Sequence, residues 1–511
     1  MTAGGPRVYI VGAGPGDPSL ISLRGYRCLT RADVVIYDHR VQARLLRWAP
    51  ASAERIDVGP SSKKPLEQDA VALLVAEKAR EGRMVVRLKW GDPFVFDTGG
   101  KEALLLAQHG IQFEIIPGIP AAIAAPAYAG IPVTYPAAGD TLVIIRGSET
   151  PTTDPPDVDW ASLAKMDGSL VCYAGPRQLP AIAKALITHG RAADDAAVLI
   201  RNGTLATQQT TVTTLGALAA AVDERRTSLL IVGAAADLRE HLRWFDRKPL
   251  FGKRIVVTRS RDQAGELIER IEDAGAEAIE APLFTIQPPD DATKLVDAAA
   301  AAETFDWIVF ATATAVEQFL GVLLAGDGDI RSLKGVRLCA IGPSAPDRLA
   351  AFGIKADLAP SEFSVTAVAD ALGITSDERV LILRPQHLGD ALAAELQTRG
   401  ADVIDVIAYR TVQPPEAGQD VYRMLLDGKI DAVTFASAGN VHQFVDLIGR
   451  DQAIDLLGTT VVAAIGPLTA AAARNLGLTV QVVPGRHDTD ALVDGLIEYF
   501  RLQTPDHRPQ A

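Results

Sequence analysis

Short apolar runs recur along the chain with helix-length amphipathic stretches between them. The first is Val8-Tyr9-Ile10-Val11, closing on Gly12-Ala13-Gly14-Pro15-Gly16-Asp17-Pro18; runs at 33–37, 83–88 and 113–116 follow. Neighbouring parallel strands need a crossover about as long as a helix, so this alternation predicts parallel βαβ units. The Pro/Asp-rich stretch 151–160 interrupts the pattern and is expected to join two α/β lobes. Further strands are expected at 170–173 and 229–232, and the charged segment 237–253 is the expected inter-unit linker.

The second half repeats itself. Arg254-Ile-Val-Val-Thr-Arg259 echoes Arg379-Val-Leu-Ile-Leu-Arg384, and Phe284-Thr-Ile-Gln-Pro-Pro289 echoes Arg410-Thr-Val-Gln-Pro-Pro415. Asp306-Trp-Ile-Val-Phe-Ala-Thr312 is matched from Asp431, and Ala340-Ile-Gly-Pro343 returns at Ala464. The offsets stay between 124 and 126, so the register holds across a whole domain. Two similar α/β halves joined by two Gln-Pro-Pro connectors predict two lobes with a ligand cleft.

Composition narrows the function classes. With 48% hydrophobic and 22% charged residues, the 511-residue chain is an ordinary globular protein of several domains. Residues 1–250 hold 28 Lys+Arg against 26 Asp+Glu, and the remainder 22 against 37. This asymmetry suggests two units of separate origin, and the lack of a basic block argues against nucleic acid as a partner. Cys28, Cys172 and Cys339 lie far apart in apolar runs, which fits buried free thiols; no metal set is expected. No run is long enough to span a membrane, and the start is too short for a signal peptide, so a cytoplasmic protein without a membrane partner is expected.

The glycines after the first strand let backbone N–H groups approach a ligand, though such a turn alone is weak evidence. In order behind it come Ala32-Asp-Val-Val-Ile-Tyr-Asp38, Gly91-Asp-Pro-Phe94, Pro117-Gly-Ile119 and Pro126-Ala-Tyr-Ala-Gly-Ile-Pro132. Together they resemble the tetrapyrrole methylases, most closely the uroporphyrinogen-III C-methyltransferases, over residues 8 to about 245. The resemblance implies a two-lobed fold binding S-adenosylmethionine. Pro15, Gly91, Asp92, Phe94, Tyr173, Ala174 and Thr204 match cofactor-lining positions, and Asp38 matches a carboxylate near the reacting pyrrole. Read from the residues alone, Asp38 serves equally as a helix cap and Tyr173 as core. The chain departs from the family at Trp90 (a Gly there), Thr98 (an Arg that meets substrate carboxylate), Tyr135-Pro136 (His-Arg) and Ala174 (Met).

The repeated half resembles uroporphyrinogen-III synthase through Val256-Val-Thr-Arg259, Phe310-Ala-Thr312, Ile341-Gly-Pro-Ser344, Tyr409-Arg-Thr411, Thr434-Phe-Ala-Ser437 and Ile465-Gly-Pro467 with Thr469. That family cyclises hydroxymethylbilane with inversion of the last ring and needs no cofactor. Thr312, Ser344, Ser437 and Thr469 fall after strands at expected helix starts, where free N–H groups favour anions. Arg259 and Arg384 occupy equivalent repeat positions and are expected to add positive charge. Each hydroxyl reads equally as an N-cap. Tyr409 matches a tyrosine near the leaving hydroxyl, and packing at the connector is its alternative reading. The resemblance also implies that each lobe mixes the two repeats, with hinged crossings near 283–289 and 409–415.

The expected fold class is therefore α/β: an N-terminal two-lobed tetrapyrrole methylase fold at 1–245 (lobes about 1–140 and 141–245), a linker at 246–253, and a two-lobed synthase-like fold with parallel sheets at 254–503. Lobe A of the latter takes 254–284 plus 414–503, and lobe B 288–410. The expected activities are formation of uroporphyrinogen III and its S-adenosylmethionine-dependent methylation, with tetrapyrroles as substrates and a homodimer through the methylase-like half. Two alternatives stay open here: a synthase whose methylase-like half only binds or channels, and a non-catalytic tetrapyrrole sensor.

Overall fold

In the first apolar runs, alternate residues feed opposite faces of one sheet. Val8, Ile10, Val34, Ile36 and Val85 pack on one side, and Val11, Val35, Val86 and Leu88 on the other. A sheet covered on both faces is the expected setting for parallel strands. The order is Glu54–Asp57, Val34–Tyr37, Val85–Lys89, Val8–Gly12, Phe113–Ile116, every pair parallel. The computed structural model describes residues 7–38, 40–59, 66–136, 139–148, 152–175, 177–220, 228–259, 261–281, 285–326, 328–342, 344–360, 362, 364–374, 376–386, 388–412 and 419–503.

A second sheet follows in the order Leu142–Arg146, Ser169–Ala174, Ser228–Val232, Ala196–Arg201, Gln209–Thr214. Its first pair is parallel and the other three antiparallel, so the parallel βαβ pattern belongs to the first sheet. The Pro/Asp-rich stretch lies between the first two strands of this sheet, so it does not join the lobes. One face of the sheet packs on the helix Ala121–Tyr128, whose Ala122, Ala125 and Ala129 share a cluster with Val171, Val198, Ile200 and Ile231. Small residues on that helix let sheet and helix approach closely. The segment suggested as a linker carries the fully buried Leu250, whose amide donates to the Ala274 carbonyl.

The chain divides into two compact units, Met1–Ile255 with Glu269–Ala278 and Leu496–Ala511, and Val256–Ile268 with Ile279–Gly495. The repeats build two further sheets. One runs Glu277–Glu280, Arg254–Val257, Ala432–Phe435, Val461–Ala464; the other runs Thr285–Gln287, Asp402–Val412, Arg379–Pro385, Trp307–Phe310, Arg337–Ala340. Repeat-equivalent strands occupy the same place in the order, and each sheet draws on both repeats. In the second of these sheets Thr285–Gln287 is antiparallel to Asp402–Val412, with Gln287 opposite Arg410, and the other pairs are parallel. Residues 282–284 and 413–418, which include the second Gln-Pro-Pro, lie outside the described residues.

Candidate functional site

Three glycines bring three loops of the first lobe together. A Cβ on Gly12 would come within 2.5 Å of Gly118 Cα, and one on Gly118 within 2.1 Å of the Gly91 carbonyl oxygen. Gly91 takes φ +67°, and its amide donates to the Gly14 carbonyl at 2.8 Å while the Gly14 amide donates back. Only glycine allows this crossing. The Asp92 carboxylate then accepts from the amides of Phe94 (2.8 Å) and Gly118 (3.0 Å), fixing the turn.

These loops border a cavity of about 1070 Å³. Pro15, Asp38, Gly91, Asp92, Tyr173 and Ala174 all line it. Two of the expected residues lie outside that lining. Phe94 is 58% exposed and outside the lining, because the Asp92-capped turn directs it outward; Val95 and Phe96 line the wall instead. Thr204 is buried at φ +70°, with Gly203 and Leu205 lining the cavity beside it; its Oγ1 accepts from the Asp17 amide at 3.0 Å. It buttresses the first loop. Asp17 in turn accepts from the Tyr128 hydroxyl.

Tyr173 is fixed at its tip, where the hydroxyl accepts from the Ala122 amide at 2.9 Å, and Phe96 packs edge-on against its ring. Burial raises its pKa. Sequence reasoning missed Phe96, Arg40, Arg146 and Arg201, which also line the cavity, and Gln178, whose buried carbonyl accepts from the Ser148 and Gly175 amides. The positive φ of Phe96 depends on the folded turn and leaves no mark in the hydrophobic pattern.

Beneath the cavity lies a charge cluster on the central strand. Arg87, Lys89 and Glu102 are each 1% exposed. Arg87 Nε and Lys89 Nζ reach Glu102 at 2.9 and 2.7 Å; Arg87 Nη2 donates to Asp38 at 2.6 Å; Lys89 also meets Asp97 and Thr98 at 2.8 Å. Burial pushes the Glu102 carboxyl up, but Arg87 and Lys89 outweigh it and hold the group below its ordinary range. Asp38 is therefore tied to the strand rather than capping a helix.

In the second unit, the Tyr409 hydroxyl lies 3.2 Å from Thr312 Oγ1, ninety-seven residues away in sequence. Thr312 caps the helix Ala313–Ala325 by accepting from the Ala315 amide. Burial raises the Tyr409 pKa above its ordinary value, against the hydroxyls of Thr312 and Thr314. Ser437 caps Ala438–Ile448 and donates to Asn440 Oδ1 at 2.8 Å, and Asn440 Nδ2 donates to the Thr258 carbonyl next to Arg259. Burial lowers the Arg259 pKa, with Glu266 acting against it. Thr469 is buried inside Pro467–Asn475, whose N-cap is Gly466, so it is not the cap expected. Ser344 begins Ser344–Ala351, but its side chain lies outside the described residues. Arg384 departs furthest from expectation. Its Nε and Nη2 engage Asp405 at 2.8 and 2.6 Å, and Nη1 donates to the carbonyls of Pro385 and Leu388, so the fork serves the strand pair.

Among the described residues there is no helix long and apolar enough to cross a membrane and no cluster suited to a metal ion. The family model for tetrapyrrole (corrin/porphyrin) methylases matches residues 7–219, and that for uroporphyrinogen-III synthase HemD matches 265–494. Over 499 residues the chain is 33% identical to the porphyrin biosynthesis protein HemD of Ruminiclostridium josui, covering 96% of this chain and 97% of that protein. It is 42% identical over 240 residues to the S-adenosyl-L-methionine-dependent uroporphyrinogen III methyltransferase of Methanosarcina barkeri, 46% of this chain and 94% of that protein. Among solved structures, uroporphyrin-III C-methyl transferase from Thermus thermophilus, complexed with S-adenyl homocysteine, is 31% identical and covers 45% of this chain and 99% of its own, with a TM-score of 0.39. The chain belongs to the porphyrin-biosynthesis family in which a tetrapyrrole methylase precedes a HemD-type uroporphyrinogen-III synthase.

Proposed function

We propose that the chain makes uroporphyrinogen III and then methylates it: the C-terminal half closes hydroxymethylbilane with inversion of its last ring, and the N-terminal half carries the product toward precorrin-2. The observation that carries this reading is the cavity of about 1070 Å³ built on the glycine crossing, in a chain that also matches the synthase family over residues 265–494. We take the working division to be 1–245 for the methylase, 246–253 for the junction and 254–503 for the synthase.

The residues fit an S-adenosylmethionine site. The bare backbone of Gly12, Gly91 and Gly118 leaves room for close approach, and Pro15, Asp92, Tyr173 and Ala174 would hold the cofactor. When bound, it supplies an electrophilic methyl group on a sulfonium. The protein's part is to align an electron-rich pyrrole carbon with it and to keep water away. Asp38, anchored by Arg87 and facing the cavity, accepts the proton that the ring system gives up after methylation.

In the synthase half, Tyr409 protonates the terminal hydroxyl of the bilane, which leaves as water. Thr312 fixes the phenol's direction. Arg259, Ser344, Ser437 and Thr469 are proposed to hold carboxylates, whereas Arg384 acts through the strand it braces. The impaired-half and sensor alternatives are not favoured, because the methylase and synthase matches are both extensive. The same reading has the enzyme working in the cytoplasm as a homodimer through its methylase half.

The test is product analysis with full-length protein and enzymatically generated hydroxymethylbilane. Without S-adenosylmethionine the type III isomer should accumulate; with it, methylated product should replace that isomer. Type I isomer alone would remove the synthase assignment, and unmethylated type III in the presence of cofactor would remove the methylase one.

A further inference from the structure

The methylase cavity must take a ligand bearing many carboxylates, yet its deepest cations are already matched. Arg87 and Lys89 face Asp38, Asp97 and Glu102, two positive charges against three negative. Asp92 adds another carboxylate to the wall, held by backbone amides. Arg146 and Arg201 line the cavity and have contacts of their own.

Arg40 is placed differently. It is an exposed lining residue with its guanidinium over the Trp90 ring, 5.6 Å from the ring centroid, and no carboxylate among the described residues pairs with it. Trp90 lines the same wall between the buried Lys89 and the clamped Gly91, so the platform is set by the fold. A guanidinium within about 6 Å of an indole centroid is drawn to the ring and still has N–H groups to offer a carboxylate. The contact also limits the freedom the side chain would lose on binding.

We propose that Arg40, held over Trp90, is a specificity-determining residue of the methylase site that clasps a peripheral carboxylate of the tetrapyrrole. This deepens the proposed methylation of uroporphyrinogen III and rests on it. It also gives a task to Trp90, one of the positions where this chain departs from the methylase pattern.

The experiment is initial-rate methylation of uroporphyrinogen III by the full-length protein and by Arg40→Ala, Arg40→Lys and Trp90→Gly. Lys101→Ala, an exposed cation outside the cavity lining, controls for net charge. Loss of a charge-assisted contact predicts a KM for Arg40→Ala higher by about tenfold or more, with kcat within about twofold. Its KM should rise less steeply with salt, while equilibrium binding of S-adenosylhomocysteine stays at the wild-type value. Arg40→Lys should fall between, because it keeps the charge without the planar fork, and Trp90→Gly should raise KM with Arg40 intact. An Arg40→Ala KM within about twofold of wild type, or a change confined to kcat, overturns the assignment while leaving methylation standing. A wild-type protein that transfers no methyl group to uroporphyrinogen III overturns the methylation reading and this inference with it.

Discussion

At the scale of single residues, the least expected feature is the charge buried on the strand Val85–Lys89. A buried ion pair adds little to stability on balance, but removing one partner strands the others. Glu102→Gln should therefore destabilise the first unit by about 3–5 kcal/mol, read by thermal or urea unfolding at pH 7. Because the folded state lowers the Glu102 pKa, this stability is present above the unfolded carboxylate value of about 4.3 and is lost as pH falls through the folded one. The variant should show a shallower acid limb than wild type; equal slopes would place the pH dependence elsewhere. Tyr409→Phe should cut the rate of type III formation by about 100-fold or more, the range of a general acid. Its raised pKa keeps the phenol protonated through neutral pH, so wild-type activity carried by this proton is lost only as pH rises past tyrosine's usual value of about 10. The positions of Asp38 and Tyr409 at strands were legible because each sits in an ordered motif. The Asp405 partner of Arg384 was not, because it lies on the neighbouring strand, which spacing along the chain does not reveal. The outward turn of Phe94 was not legible either, because a capped turn, not residue type, decides where the ring points.

Elements tell a similar story about what patterning can carry. Strands such as Val34–Tyr37 were readable since they are apolar runs buried on both faces, whereas the parallel strand Glu54–Asp57, ERID, carries no such run. Gln209–Thr214 was not readable, because QTTVTT is an edge strand of half-exposed threonines paired antiparallel to Ala196–Arg201, with no apolar run to mark it. Nor could the sequence show that Thr285–Gln287 pairs antiparallel with Arg410–Val412. The glycine crossing, by contrast, makes a prediction at this scale. A methyl group on Gly118 would press into the Gly91 carbonyl and the Gly12 backbone, both main chain and unable to swing aside. Gly118→Ala should weaken equilibrium binding of S-adenosylhomocysteine by about tenfold or more, since overpacking of this kind costs about 1–3 kcal/mol. Type III formation should stay at the wild-type rate. Unchanged binding would mean the loops can separate without harm.

For the whole molecule, the question is whether the two activities need each other. Among the described residues Gly118 meets the loops that hold Gly12, Gly91 and Asp92, whereas Tyr409 meets Thr312. Additivity is expected for sites with no shared partners. Tyr409→Phe, supplied with uroporphyrinogen III directly, should then methylate it at the wild-type rate, and Gly118→Ala, at S-adenosylmethionine concentrations well below its raised Kd, should convert hydroxymethylbilane to the type III isomer and accumulate it. Mixing the two single variants with hydroxymethylbilane and S-adenosylmethionine should restore methylated product after a lag that shortens as protein concentration rises, because the intermediate must leave one molecule and find another. Wild type at the same concentration gives the reference lag. A mixture that yields no methylated product, although each variant keeps its remaining activity, would mean that uroporphyrinogen III formed in the synthase half is not released to solution, and that the two halves act as one enzyme.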